Sequence, residues 1–142
     1  MKVLIINGPN LNMLEKRNQN NYGSLSLALI SQALEDEFPK IDFTFVQSNS
    51  ENEMINHIQN ANTFDGVIIN PGGYSHSSIA LRDALEILKI PKIEVHLSNL
   101  SSREDFRTNL ITASRVDGYI SGFHEISYFA AVYSITKMIL KR

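Results

Sequence analysis

Cysteine is absent from this 142-residue chain, which excludes disulfides, thiolate nucleophiles, iron–sulfur clusters and cysteine-built zinc sites. A basic surplus is absent too. The 13 Lys and Arg stand against 15 Asp and Glu, for a net charge of −2, and they are scattered rather than gathered in a stripe. Binding to nucleic acid through its phosphates draws on such a surplus, so no nucleic-acid partner is expected. No apolar run reaches membrane-spanning length, and Met1-Lys2-Val3-Leu4-Ile5-Ile6-Asn7 is too short an apolar opening for a secretory signal. A cytoplasmic protein without a membrane partner is therefore expected. Repeats, linkers and low-complexity stretches are missing as well. With 43% hydrophobic and 20% charged residues, the composition suits a single domain spanning 1–142.

What is present is an alternation of short apolar runs with helix-period segments, the pattern of a parallel sheet covered on both faces. Strands are expected at Lys2 to Asn7, Ile41 to Gln47, Gly66 to Asn70, Lys92 to His96 and Gly118 to Gly122. The first helix starts at Ser26 and buries Leu27, Ile30, Leu34 and Phe38. The second opens with a Ser50/Glu53 capping box and buries Met54, Ile55, Ile58 and Ala61. A third follows Gly72-Gly73, with Ala80, Leu81, Ala84, Leu85 and Leu88 as its stripe, and stops before Pro91. A short fourth begins at a possible Ser101/Glu104 capping box. The last runs from about Glu125 and is apolar over much of its circumference at Ile126, Phe129, Ala130, Val132, Tyr133, Ile135, Met138 and Ile139. Such a helix is either deeply packed or partly an interface. Strict alternation predicts a flavodoxin-like α/β fold with three layers and a five-stranded sheet in the order 2-1-3-4-5.

In that order the carboxyl ends of strands 1, 3 and 4 meet at the topological switch point, where open α/β sheets bind ligands. They carry Asn7-Gly8-Pro9-Asn10, Asn70-Pro71-Gly72-Gly73 and Glu94-Val95-His96-Leu97-Ser98-Asn99. Taken alone, the first block reads as a turn. The second lacks the Gly-x-Gly-x-x-Gly spacing and the lysine of a phosphate loop. His96 differs from an ordinary core histidine because Glu94 lies two residues before it, on the same face of the strand, where a carboxylate can orient the imidazole. His57 and His124 read as surface residues. Arg17, Arg103 and Arg107 are half of the six arginines and point to an anionic ligand or intermediate, although Glu104 and Asp105 could neutralise some of that charge. Tyr22 follows Asn18 to Asn21, where a buried tyrosine is hard to arrange, so Arg17 and Tyr22 are expected on a mobile lid. A flavodoxin-like redox module would use the same switch point, but would not need these residues.

Three separated blocks resemble the type II 3-dehydroquinate dehydratases. They are Ile6-Asn7-Gly8-Pro9-Asn10-Leu11 with Arg17 and Tyr22-Gly23, Asn70 to Ser78 with Ala80-Leu81-Arg82-Asp83, and Ile93 to Asn99 with Arg103-Glu104-Asp105-Phe106-Arg107. The resemblance implies removal of water from 3-dehydroquinate to give 3-dehydroshikimate in the shikimate pathway, with no metal, no cofactor and no Schiff base. It further implies Tyr22 as the proton-abstracting residue and His96, oriented by Glu94, as the acid for the leaving hydroxyl. Arg17 matches the stabiliser of an enolate-like transition state, Asn10 the holder of a water at the enolate oxygen, and Arg103 an arginine near the catalytic tyrosine. Substrate contacts are implied at Asn70, His76, the amides of Leu97 and Ser98, and Arg107. Asp83 matches a residue given by a neighbouring subunit of a homo-oligomer, a dodecamer built from trimers; an exposed pair with Arg82 or Lys89 is the alternative. Departures from the family pattern fall at Ser101-Ser102, where His-Ala is frequent, and at His124 and Ser127, where glycines are common.

The chemistry agrees with that set of side chains. A proton beside a ketone is acidic because its removal gives an enolate, so the site needs a base, an oxygen stabiliser and an acid. A phenol near pKa ~10 becomes an effective base at neutral pH if its pKa falls by about two units, or ~2.7 kcal/mol. One positive charge at ~4 Å supplies about 4 kcal/mol at an effective dielectric near 20. One arginine is enough, and a second offsets desolvation.

Overall fold

Alternation along the first strand decides which face each side chain serves. In the computed structural model, which describes all 142 residues, β1 (Lys2–Asn7) sends Val3 and Ile5 to one face and Leu4 and Ile6 to the other. It pairs in parallel with β2 (Asp42–Gln47) and β3 (Gly66–Asn70). β4 (Lys92–His96) and β5 (Gly118–Ser121) complete one parallel sheet in the order β2-β1-β3-β4-β5. This is the flavodoxin-like order read from the sequence.

The helices are α1 (Gln19–Tyr22), α2 (Leu27–Glu37), α3 (Glu51–Gln59), α4 (Ile79–Ile87) and α5 (Ile126–Leu140), with short 3-10 turns between elements. Two cores result. Ile30 and Leu34 of α2, with Tyr128, Ala131, Val132 and Ile135 of α5, pack on Val3, Ile5, Ile68, Ile93 and Val95. Met54 and Ile58 of α3, with Leu81 and Leu85 of α4, pack on Leu4, Ile6, Val67 and Ile69. Hydroxyl caps start three of the helices: Ser26, Ser50 and Ser78 each accept from the amide three residues on.

Several local expectations need correction. The Ser50/Glu53 box is only half formed. Ser50 accepts from the Glu53 amide at 3.3 Å, but its own amide goes to Ser48 Oγ at 2.9 Å, and the Glu53 carboxylate accepts from that same Ser48 hydroxyl. The third helix starts at Ile79 after a separate 3-10 turn at Gly72–His76, and its Ala80 is exposed. The Ser101/Glu104 box does not form. Asn99 caps a 3-10 turn at Leu100–Ser102, Arg103 is extended, and Glu104 turns to Arg107. On α5 the buried face is Ser127, Tyr128, Ala131, Val132 and Ile135, whereas Ile126 and Tyr133 are exposed. An apolar pattern all round a helix hides its own orientation.

Candidate active site

Two loops meet at the switch point because one of them has no side chain. Gly8 donates its amide to Asn70 O at 2.8 Å, and a Cβ there would lie 2.7 Å from the Pro71 carbonyl oxygen. The β1 and β3 loops could not close with any larger residue. Asn10, two residues on, sits in the left-handed region at φ 68°, which asparagine tolerates better than most residues. Its amide donates to Asn49 Oδ1 at 3.0 Å, so Asn49, which sequence reasoning passed over, holds the strained residue in place.

A cleft opens above these loops. Asn10, Arg17, Tyr22, Asn70, His76, His96, Leu97, Ser98, Arg103 and Arg107 all line it, and no carboxylate does. Glu94 lies behind His96 rather than in the cleft. Asp83 is not brought to the cleft of its own chain: it is exposed on α4 and pairs with Arg82 at 2.7 Å. Four residues from the start of the helix at Ile79, it lies about 6 Å along the axis.

Tyr22 occupies the centre. It is only 9% exposed and packs with Leu11 and Leu14, contrary to the expectation that burial would be difficult. The segment is a single helical turn capped by Asn18, whose side chain accepts from Asn20 N. The ring faces inward because both arginines hold it. Arg17 stacks 3.7 Å from the ring centroid and donates an Nη2 hydrogen bond to the hydroxyl, while Arg103 Nη1 donates to the same oxygen at 2.6 Å. Two cationic donors on one phenol oxygen stabilise negative charge there. The arrangement has a cost, visible at Arg17: burial, together with the like charges of Arg103 and Arg107, lowers its pKa, and the neighbouring Tyr22 oxygen opposes that shift.

Glu94 and His96 share one face of β4, as period-two spacing requires. Glu94 is fully buried, and its Oε1 lies 2.6 Å from His96 Nε2. Its other oxygen accepts from Thr112 Oγ1 at 2.7 Å, so the carboxylate is fixed on both sides. With Nε2 turned to Glu94, Nδ1 is the free ring nitrogen of His96. His76 stacks on His96 at 6.3 Å between centroids and turns Nδ1 to the carbonyl of Asn109 at 2.9 Å. A nitrogen facing a carbonyl must carry the proton, so neutral His76 offers Nε2 as an acceptor. Burial first, then the like charges of His96 and Arg107, pull its pKa down and favour that neutral form, against the Asn109 hydrogen bond.

The amides of Leu97 and Ser98 donate to no acceptor of the chain, so they are open donors at the cleft wall. The turn that follows them, Leu100–Ser102, is three residues long, too short for a helix-end field. Arg103 and Arg107 converge on Glu104, at 3.7 Å and 2.7 Å, in line with the neutralisation weighed from the sequence. Its own backbone amide and Arg107 hold the Glu104 carboxyl below the usual range.

The family model described as class II dehydroquinase matches residues 1–136. The chain belongs to that family. It is 46% identical to the 3-dehydroquinate dehydratase of Thermotoga petrophila over 141 residues, covering 98% of this chain and 97% of that one. With the 3-dehydroquinate dehydratase of Fusobacterium nucleatum it shares 44% identity, covering 93% and 94%. The crystal structure of type II dehydroquinase from Butyrivibrio crossotus superposes with a TM-score of 0.92 at 40% identity, covering 96% of this chain and 97% of that one. As a class II dehydroquinase the chain is an enzyme, and its sheet order is that of the family's solved structure.

Sequence reasoning missed the layer behind this dehydroquinase cleft. Tyr128 of α5 is fully buried; its hydroxyl donates to Asn7 Oδ1 at 2.5 Å and accepts from Asn70 Nδ2 at 3.1 Å. Asn70 Oδ1 accepts from Gly72 N at 3.1 Å, so its amide orientation is fixed from both ends. The available signal was one of the two tyrosines in the last helix, since a buried phenol needs a polar partner.

Proposed function

We propose that this class II dehydroquinase removes water from 3-dehydroquinate to give 3-dehydroshikimate by anti elimination through an enolate-like intermediate. The observation that carries the reading is the Tyr22 oxygen held by Arg17 and Arg103 in the cleft that also contains His96. Tyr22, as phenolate, takes the proton from the carbon beside the substrate ketone. The electron pair moves onto the ketone oxygen, where Arg17 and a water held by Asn10 stabilise the enolate. The enolate then reforms the ketone and expels the hydroxyl two carbons away, which leaves as water with a proton from His96.

For Nδ1 of His96 to supply that proton while Nε2–H points at Glu94, the ring must start as the imidazolium, and the Glu94 carboxylate offsets its charge. The Leu97 and Ser98 amides and Arg107 would receive the substrate carboxylate, while Asn70 and His76 would bind ring hydroxyls. No step in this scheme calls on a metal or an imine. The cleft contains no lysine, so a Schiff base has no amine from which to form.

In this reading residues 1–142 act as one cytoplasmic catalytic domain that assembles through trimers into a dodecamer, with Asp83 serving a neighbour's cleft. The α4 surface supports that assembly: Ile79 and Ile87, 63% and 68% exposed, flank Asp83 at four-residue spacing and form a covered face only if another chain packs there. The test of the reaction is direct. Purified protein mixed with 3-dehydroquinate should generate the ultraviolet absorbance of a conjugated enone, and borohydride added with substrate should not inactivate it. A silent trace, or a borohydride-reduced lysine adduct in the mass spectrum, would reject this function or this mechanism respectively.

A further inference from the structure

His124 lies just before α5 and has a backbone that a residue with a Cβ rarely adopts, φ +49°. Only one other non-glycine residue has a positive φ, and that is Asn10 in the cleft. Left-handed backbone is disfavoured and persists where the surroundings enforce it. Here the enforcement is visible. The His124 amide donates to Leu97 O at 2.9 Å, at the end of the strand that carries His96. Its ring Nε2 reaches Asn20 O at 3.1 Å. Because Nε2 faces a carbonyl, it is the protonated nitrogen and the donor. His124 therefore bridges the strand-end loop and the turn that carries Tyr22.

Apart from the buried Tyr22 side chain, that turn has little else to hold it. Asn18, Gln19 and Asn20 are exposed, and their other hydrogen bonds are local: Asn20 N to Asn18 Oδ1, Asn21 N and Tyr22 N to Asn18 O, and Gly23 N to Gln19 O. The His124 bond is the one hydrogen bond that joins the backbone of residues 18–23 to another element. The packing beside it is close. Gly23, at φ +80°, has no Cβ, and one placed there would lie 3.1 Å from His124 Cβ and 3.2 Å from Glu125 Oε2.

We propose that His124 is a positioning residue for turnover: it clamps the Asn18–Gly23 turn so that the Tyr22 hydroxyl stays between Arg17 and Arg103. The reading rests on the role of Tyr22 given above, but the clamp has a readout that needs no reaction. Lys16 and Arg17 precede the turn, so trypsin reports how often the segment opens.

The experiment uses the whole enzyme with His124→Gly, which removes the donor and relieves the left-handed backbone, and with His124→Gln, whose amide nitrogen can reach as far as Nε2. Losing one hydrogen bond should raise cleavage after Lys16 or Arg17 roughly five-fold. Turnover of 3-dehydroquinate by His124→Gly follows the closed fraction of the turn and should fall by a smaller factor than cleavage rises, with Tm unchanged or raised. His124→Gln should recover most of both losses. Unchanged cleavage in His124→Gly overturns the clamp, as does faster cleavage with wild-type kcat, or a lowered Tm with normal cleavage and kcat. Equal defects in the Gly and Gln variants overturn it too. If the wild type does not turn over 3-dehydroquinate at all, the proposed function fails, while the cleavage ratio still decides whether His124 holds the turn.

Discussion

Removing Arg103 isolates one of the two charges on the Tyr22 oxygen. Arg103→Met deletes the guanidinium and keeps an unbranched apolar stem, so the packing of a side chain only 11% exposed is largely retained. What is lost is the 2.6 Å bond to the Tyr22 hydroxyl and a weaker one to Ser98 Oγ at 3.3 Å. A unit charge about 4 Å from a developing phenolate contributes about 4 kcal/mol at an effective dielectric near 20, and about 1 kcal/mol if water fills the vacated space. Arg17 stays on the ring, and loss of a like-charged neighbour relieves part of what holds its pKa down. The expected fall in kcat therefore lies between about five-fold and about a thousand-fold. KM should move much less, because binding is spread over the Leu97 and Ser98 amides, Arg107, Asn70 and His76. Steady-state kinetics followed by enone absorbance, with thermal unfolding as a control, gives the answer. A kcat within two-fold of wild type, or a loss confined to KM, would refute the assignment of Arg103 to the tyrosine.

Glu94→Gln keeps the shape and the Thr112 contact but removes the charge facing His96 Nε2 at 2.6 Å, so kcat should drop by roughly ten- to a hundred-fold, corresponding to the ~1.5–3 kcal/mol of a charge-assisted hydrogen bond; unchanged kcat would remove Glu94 from the mechanism. Burial raises the Tyr128 pKa above its ordinary value of 10.0, partly offset by the Asn70 donor. A group whose folded pKa is raised contributes stability that is complete below its unfolded pKa and lost as pH rises above it. Wild-type stability in urea should therefore decline beyond about pH 10 by up to ~1.4 kcal/mol per pH unit more steeply than that of Tyr128→Phe, and equal slopes would contradict this. Asp83→Ala should leave folding intact but impair turnover, and co-assembly with Tyr22→Phe subunits should restore activity at sites that pair an intact Tyr22 with an intact neighbouring Asp83. A fully active monomer on a sizing column would end the shared-site idea.

The sheet was legible because parallel strands buried on both faces leave long apolar runs, and the runs at Leu4, Val67 and Val95 could not be surface. The cleft residues were legible because charge at the end of such a run has few structural uses. Less legible were features set by a neighbour distant in sequence. The asparagines before Tyr22 give no sign of burial, yet Leu11, Leu14 and the two arginines provide its surroundings. Glu53 has the spacing of a capping box, but its carboxylate takes the Ser48 hydroxyl instead. The polar layer of Asn7, Tyr128 and Asn70 spans 121 positions, and no local period encodes a contact of that range.

Tyr22→Phe removes the oxygen proposed as the base while keeping the ring that Arg17 stacks on. Turnover of 3-dehydroquinate and calorimetric binding of a ring-shaped substrate analogue should be measured on the same preparation. Turnover should be lower by several orders of magnitude, in the range for losing both a base and its preorganised charge, with analogue affinity within about ten-fold of wild type. Near-normal turnover in Tyr22→Phe would contradict that role.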